Sequence, residues 1–531
     1  MASTPENTPP TTPLRRGLPL FPLSILILAI SSVAYVRSLP EFERNLKSWL
    51  TAGIPLLASI LILLWFLLTK RFSGRTRLKG LAVVILLGLA WKAAVRVDGT
   101  VDGTGMPNWV WKWSTPQQPG LKALTPSITT TATPLPSDPR LSEAADVPQF
   151  FGPSRNGVAP PAAFSDDWKT HPPKELWRQP IGAGWSAFAV VSGLAYTQEQ
   201  RGEEELVTCY ELLTGKLRWA HADKTKFTQW QGGEGPRATP TLHEGRVYAY
   251  GATGLLNCLD ANTGNPIWQR SVLKENNLEN IEWGVSASPL IVGDHVIITG
   301  GNPRGPVLFA YHRETGIPVW KSGDDQANYA SPILATLAGK QLILSNNVRA
   351  LTAFDPADGA ILFDHTWGGE KFPKASQPVI VSPTRLFISA GYGMGCQLLE
   401  VKASPDGKLS VTEIWSSMKM KTQFNSPALL DGHLYGLDDG RLACLDIATG
   451  DRLWKDGRFA SGQSLLAGNR IIVQNESGPV HLCAAKPDGF TELAKLDALS
   501  SKTWNHPVLA GRFLLVRNDR EAVCYELPTA P

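Results

Sequence analysis

The stretch LLNCLDANTGNPIW, residues 255–268, decides the fold. It reads as a strand ending at Asp260, a tight Thr263-Gly264 turn, and a second strand ending at Trp268. The chain rewrites it as VTCYELLTGKLRW (Val207 to Trp219), LFAYHRETGIPVW (Leu308 to Trp320) and LACLDIATGDRLW (Leu442 to Trp454). Aromatics at Trp219, Trp268, Trp320, Phe363, Trp415 and Trp454 recur every 39 to 52 residues. Self-similarity at that period is the signature of a propeller or solenoid.

Working outward, each copy is preceded by two more strands. The first is short, often of the type S-P-apolar, and begins near Ser186, Ala238, Ala287, Ala330, Ser376, Asn425, Gly462 and Asn505. The second alternates and is β-branched, as in RVYAYG, HVIITG and RIIVQN. Four strands per unit and eight units predict an all-β eight-bladed propeller over residues 148–531. The seventh unit lacks the aromatic, and the eighth has only three strands. Lys174-Glu175-Leu176-Trp177, before the first unit, has the right ending to supply the missing strand and close the ring.

The turn residues read as mechanical. Gly215, Gly264, Gly316, Gly359 and Gly450 permit positive φ. Thr263 and Asp260, with their counterparts, bond the local backbone. Cys209, Cys258, Cys444, Cys483 and Cys524 are read at one shared strand position that wants a small apolar side chain, with Cys396 offset. Free thiols are expected, since no CxxC or metal spacing occurs.

Before the propeller come three apolar runs, at about 17–36, 50–69 and 80–97, read as about three transmembrane helices after a disordered 1–16. Arg15 and Arg16 would also suit a cleaved signal peptide, but the second run so close behind favours a retained anchor. The connector Lys70 to Lys79 holds five cations and no acid, which puts it in the cytoplasm. Three spans then place the propeller in the periplasm of a bacterial envelope, anchored to the inner membrane; two spans would reverse this. Residues 98–147 read as a Pro/Thr-rich linker. A net charge of +4 over 531 residues, with no basic run, argues against a nucleic-acid partner.

The D-x-x-T-G-x-x-x-W units, and Phe150-Phe151-Gly152-Pro153-Ser154-Arg155-Asn156-Gly157, resemble the pyrroloquinoline-quinone (PQQ) type propeller family. That family includes quinoprotein alcohol dehydrogenases and BamB-like assembly factors. The resemblance implies two functions. One is a protein-binding or scaffold module without a cofactor. The other is a membrane-linked dehydrogenase holding PQQ with Ca²⁺ on the axis. The adjacent Cys pair of the alcohol-oxidising branch and a haem-attaching CxxCH are missing here. No catalytic triad can be argued from the residues. A site would lie where the copies diverge, just before each innermost strand. The candidate axial face is Trp185, Arg237, Trp283, Tyr329, Lys374, Asn425 and Trp504. Its aromatic planes and two cations suit a planar anion, with Glu234, Glu282, Asp324 and Asp325 as nearby oxygen donors for Ca²⁺. Gln229 to Gly235 reads as a mobile loop over that face. The plainer reading is that these aromatics pack between blades and the charges are solvated.

Overall fold

The computed structural model describes residues 19–39, 41–114, 121, 138–302, 304–370 and 373–529. The chain divides into two compact units, Met1–Arg96 and Val97–Pro531. The expected disordered 1–16 and most of the Pro/Thr-rich linker lie outside the described residues.

The first unit is helical: α1 Leu20–Ser38, α2 Arg44–Leu68 and α3 Gly74–Ala94. α1 and α2 are long and apolar enough to cross a membrane. Of the about three transmembrane helices expected, α1 and α2 meet this measure and α3 does not. The third begins at Gly74 rather than Gly80, capped by Ser73 Oγ accepting from the Thr76 amide. It thereby takes Arg75, Arg77 and Lys79 into its first turns, besides Lys92 near its end. It stops at Ala94, where the β-branched Val95-Arg96-Val97 goes extended instead.

A hairpin follows, mostly inside the stretch read as linker, β1 Val95–Thr100 and β2 Pro107–Trp111. Eight four-stranded antiparallel sheets follow. Blades 1 to 7 run from Ala189 to Asp223, Thr241 to Ser271, Leu290 to Ser322, Ile333 to Thr366, Val379 to Ser417, Ala428 to Asp456, and Gln463 to Leu496. Blade 8 takes three strands from Val508 to Glu526 and its outermost from Lys174–Pro180. The sequence reading of this closure holds: Trp177 pairs with Cys524 just as Trp268 pairs with Cys258.

A bulge explains why the pattern before each Trp is so regular. In every blade the register shifts beside the docking position and skips one residue, such as Ile267 before Trp268. The skipped residue faces outward, and Ile267, Val319, Ile414, Leu453 and Leu493 are all exposed. The same pairing corrects one cysteine. Cys209, Cys258, Cys444 and Cys524 lie opposite the Trp, but in blade 7 that position is Leu482, opposite Ala494, and Cys483 is one residue on. All six thiols are unpaired and buried. Burial pushes Cys258 and Cys444 up to about 11, so they stay protonated and inert.

Each Trp docks on the next blade. In five of the six the indole N–H donates to a turn carbonyl, Trp320 being the exception: Trp177 to Leu212 (2.8 Å), Trp219 to Ala261 (3.0 Å), Trp268 to Arg313 (3.0 Å), Trp415 to Ile447 (3.1 Å) and Trp454 to Lys486 (2.9 Å). Its ring lies flat against the turn glycine. A Cβ on Gly264 would sit 2.4 Å from Trp219, and one on Gly316 2.7 Å from Trp268. Positive φ, 73° at Gly264, is therefore only half the reason for glycine. The Asp beneath works as expected: Asp260 Oδ1 accepts from the Asn262 and Thr263 amides at 3.0 and 2.8 Å. Gly264→Ala meets both strain and clash and should cost about 2–3 kcal/mol. Thermal unfolding followed by near-UV circular dichroism checks this; an unchanged midpoint would refute the stacking role.

Candidate functional site

The axis is built from the residues before each innermost strand. Most precede a proline, which holds them extended so that they reach the neighbouring blade. Ala187 N donates to Thr239 Oγ1 (3.1 Å), Thr239 N to Ser288 Oγ (3.0 Å), and Ser288 N to Ser331 Oγ (2.9 Å). Gln377 donates its side-chain amide to Ser331 O (3.2 Å) and its backbone N–H to Ser426 Oγ (2.9 Å). Gln463 Nε2 donates to Phe424 O (3.0 Å) and Trp504 O (3.1 Å). Asn505 Nδ2 donates to Ser186 O at 2.8 Å, returning to blade 1. Hydrogen bonds thus pass around all eight blades.

The residues expected to form the ligand face do gather here, but in two groups. Trp185, Trp504 and Phe424 form one: the Trp rings are 4.7 Å apart at 48°, and Phe424 stands edge-on to Trp504 at 5.5 Å. Lys502, which the sequence reading missed, sets its ammonium 4.5 Å from the Trp504 ring and 5.7 Å from Trp185. Arg237, Trp283 and Tyr329 form the other, with Trp283 and Tyr329 5.3 Å apart. Arg237 donates Nε to Trp283 O (2.7 Å) and its terminal nitrogens to the carbonyls of Gly232, Gly233 and Gly235. Burial pulls its guanidinium down to about 10. It pins the 229–235 insertion, which folds as a short hairpin, Thr228–Gln229 with Gly233–Glu234. Lys374 and Asn425 are buried structural groups. The Lys374 ammonium donates to Asn347 O and Val348 O, and burial pulls it down to about 8. Asn425 Oδ1 accepts from the Leu437 amide at 3.2 Å.

The tip of the β1–β2 hairpin covers the first group. Gly103 N donates to Glu476 Oε1 at 2.6 Å. The same carboxylate accepts from Trp504 Nε1 (2.6 Å) and, through Oε2, from Ser461 N (3.0 Å). Thr100 Oγ1 lies 3.4 Å from both Gln231 O and the Lys502 ammonium. A Cβ on Gly103 would collide with Ser461 and Phe424, so glycine alone allows this approach. Nothing in the 98–106 sequence announced the contact, because Glu476, the partner of Gly103, lies 373 residues away.

Further along the innermost strands, residues 147–159 cross the wheel. Val147 pairs with Val190 of blade 1, Pro148 O accepts from Leu242 N of blade 2 (2.8 Å), and Ala159 N donates to Leu466 O of blade 7 (2.7 Å). Arg155 is buried and donates to Pro289 O (2.7 Å) and Ser288 O (2.9 Å). Phe151 stands edge-on to His506 of blade 8 at 4.5 Å. The Phe150 to Gly157 stretch thus fills the axis.

A planar anionic quinone fits this arrangement poorly. Both cations are committed to backbone carbonyls, and the tilted Trp pair leaves no slot for a third plane. The proposed oxygen donors do not converge. Asp325 accepts from the amides of Gln326, Arg349 and Ala350, while Asp324 pairs with Arg304 at 3.2 Å. Among the described residues no group of three or more His, Cys, Asp or Glu is arranged to hold a metal.

Two outcomes test this geometry. Replacing Glu476 by Ala removes the acceptor for Gly103, so hydrogen exchange at residues 100–106 should quicken about tenfold or more; unchanged exchange would show that the tip is held otherwise. Burial pulls the His506 imidazole down to about 4, against 6.5 when exposed. The unfolded chain therefore takes up a proton first as pH falls. The stability is complete above 6.5 and is lost between 6.5 and about 4, by up to about 3 kcal/mol. Denaturant titrations across that range should show the slope, and His506→Gln should flatten it.

A family model described as outer membrane protein assembly factor BamB matches residues 203–456, blades 1 to 6. BamB of Yersinia pestis is 25% identical over 284 residues, 51% of this chain and 68% of the relative. BamB of Moranella endobia (strain PCIT) is 24% identical over 286 residues, 51% and 69%. Among solved structures, BamB from Moraxella catarrhalis aligns with a TM-score of 0.49 and 17% identity, covering 67% of this chain and all of that one. The quinohemoprotein alcohol dehydrogenase ADHIIG from Pseudomonas putida HK5 aligns at 0.45 and 13%, covering 74% and 81%. The family match, the relatives and the docking repeats together make this propeller similar to the PQQ-like, BamB-like β-propeller repeat family.

Proposed function

We propose that this chain is an inner-membrane-anchored propeller of the bacterial envelope that binds protein partners from the periplasm. The observation that carries the reading is the use made of the axis. Arg237 and Lys374 are spent on backbone carbonyls, Glu476 on the hairpin tip, Ser461 and Trp504, and Lys502 lies over the Trp504 ring, so among the described residues the axis offers a rigid surface rather than a prepared reaction pocket. The curated relatives are named as outer membrane protein assembly factors, which supports an assembly or scaffold role.

The periplasmic side requires α3 to cross as well, since the cationic connector before it belongs in the cytoplasm. Two features support a crossing. α3 has 21 residues with none buried, and Leu78, Val83, Ile85, Leu86, Leu87 and Leu89 are all exposed. A helix apolar all round needs a non-aqueous neighbour. Lys92 can snorkel from its end.

Reporter fusions after residue 136 check the side: active alkaline phosphatase is expected, while a silent phosphatase with a fluorescent cytoplasmic fusion would overturn the periplasmic placement. Photo-crosslinking in living cells, from residues on the blade surfaces, should trap envelope proteins. The binding role is refuted if the purified chain instead reduces a dye with an alcohol when loaded with PQQ and Ca²⁺.

A further inference from the structure

The β1–β2 hairpin has two chemically different parts. Its tip is glycine and threonine and docks on the axial face. Its second strand and the turn after it carry Trp109, Trp111 and Trp113, which are 54%, 51% and 72% exposed. Trp109 and Trp111 share one face of β2 by the two-residue period. Trp113 folds back through the Trp111–Ser114 turn and stacks on Trp111, with centroids 5.1 Å apart and planes within 10°. Trp230 is 49% exposed on the 229–235 loop, and its carbonyl lies beside Gly99 of β1. Elsewhere in this unit tryptophan docks between blades or lines the axis. Every exposed tryptophan among its described residues is on this hairpin or the loop against it.

Such a cluster is costly in water and needs a covering. We infer that the Trp109–Trp111–Trp113 face of the hairpin lies in the headgroup layer of a lipid bilayer. Chain geometry favours that occupant. β1 starts at Val95, the residue after α3 ends, and an antiparallel partner brings the end of β2 back to the start of β1. The tryptophans thus lie close along the chain to the end of the apolar helix. Residue chemistry agrees. Tryptophan is the side chain that settles at membrane interfaces, with an apolar ring and a polar N–H. Arg96 and Lys112 flank the cluster and suit anionic headgroups. Since the hairpin tip is bound to Glu476, this contact turns the axial face of the wheel toward the membrane and leaves its rim and opposite face for partners.

The inference rests on the membrane-anchor reading, and the test separates the two. The full chain with Trp111→Cys is reconstituted in nanodiscs and labelled with an environment-sensitive dye; the six native thiols are buried and stay silent. Ile361→Cys, on an outer strand of blade 4, is the reference. The expected result is blue-shifted emission at 111, with quenching by headgroup-level nitroxide lipids about twofold or more above that at 361. Incorporation with a dye quenched by aqueous iodide as freely as at 361 overturns the inference but spares the anchor. Shielding from iodide without lipid quenching also overturns it, in favour of contact with a second copy. Failure to enter nanodiscs removes both readings. Trp109→Cys repeats the measurement should Trp111→Cys fold poorly.

Discussion

The structure depends on the circuit of hydrogen bonds around the axis. At the centre of a wheel, eight strands converge and their first backbone groups lose contact with water. Each orphan there would cost about 1–3 kcal/mol. The chain answers with a residue able to accept from, or donate to, its neighbour: Thr239, Ser288, Ser331, Gln377, Ser426, Gln463 and Asn505. The proline that so often follows fixes the extended conformation these bridges need. The rim obeys a different constraint, apolar and aromatic, with an indole docked from six of the eight blades. Blades are thus tied at two radii by unlike forces.

That economy shapes what the propeller can do. Glu476 shows it most clearly. A single carboxylate joins the hairpin tip, the entry to blade 7 through Ser461, and Trp504 before blade 8. Arg237 does the same for the 229–235 loop and Trp283. Groups with the right chemistry to hold an anion are used to hold loops, and the axial end of the wheel is finished by its own chain.

The wheel was legible in the sequence because each blade repeats the same local physics. A turn glycine, an Asp bonding the next amides and an indole recur from blade to blade, and a residue that recurs in this way has a structural job. The N-terminal strand of blade 8 was legible for the same reason: ELW completes a pattern whose other three strands end at Glu526. The axial face was legible only as a location. The positions of Trp185, Arg237, Trp283 and Tyr329 followed from the strand order, but their partners are backbone carbonyls, which carry no sequence signal. The hairpin over them was invisible, since Asp98 to Met106 pairs with residues hundreds of positions away. The offset of Cys483 escaped because blade 7 has Ala494 where other blades carry the aromatic that marks the register. The third helix was misjudged at its start, where the Ser73 cap draws cationic residues into the helix.

The pairing of Lys174–Pro180 with Glu521–Glu526 also sets an order of events. Closing a loop of more than 300 residues costs about 3 kcal/mol more than closing a ten-residue hairpin, so this ladder forms last. Until then the wheel is an open crescent with two raw sheet edges. Arg517 is placed to secure the moment of closure. Buried in blade 8, it donates to Thr197 Oγ1 (2.7 Å), Gln198 O (2.9 Å) and Gly182 O (2.9 Å) across the seam. A force or protease that opens this ring has its shortest route there, where one buried guanidinium and one late ladder join the two ends of the circle.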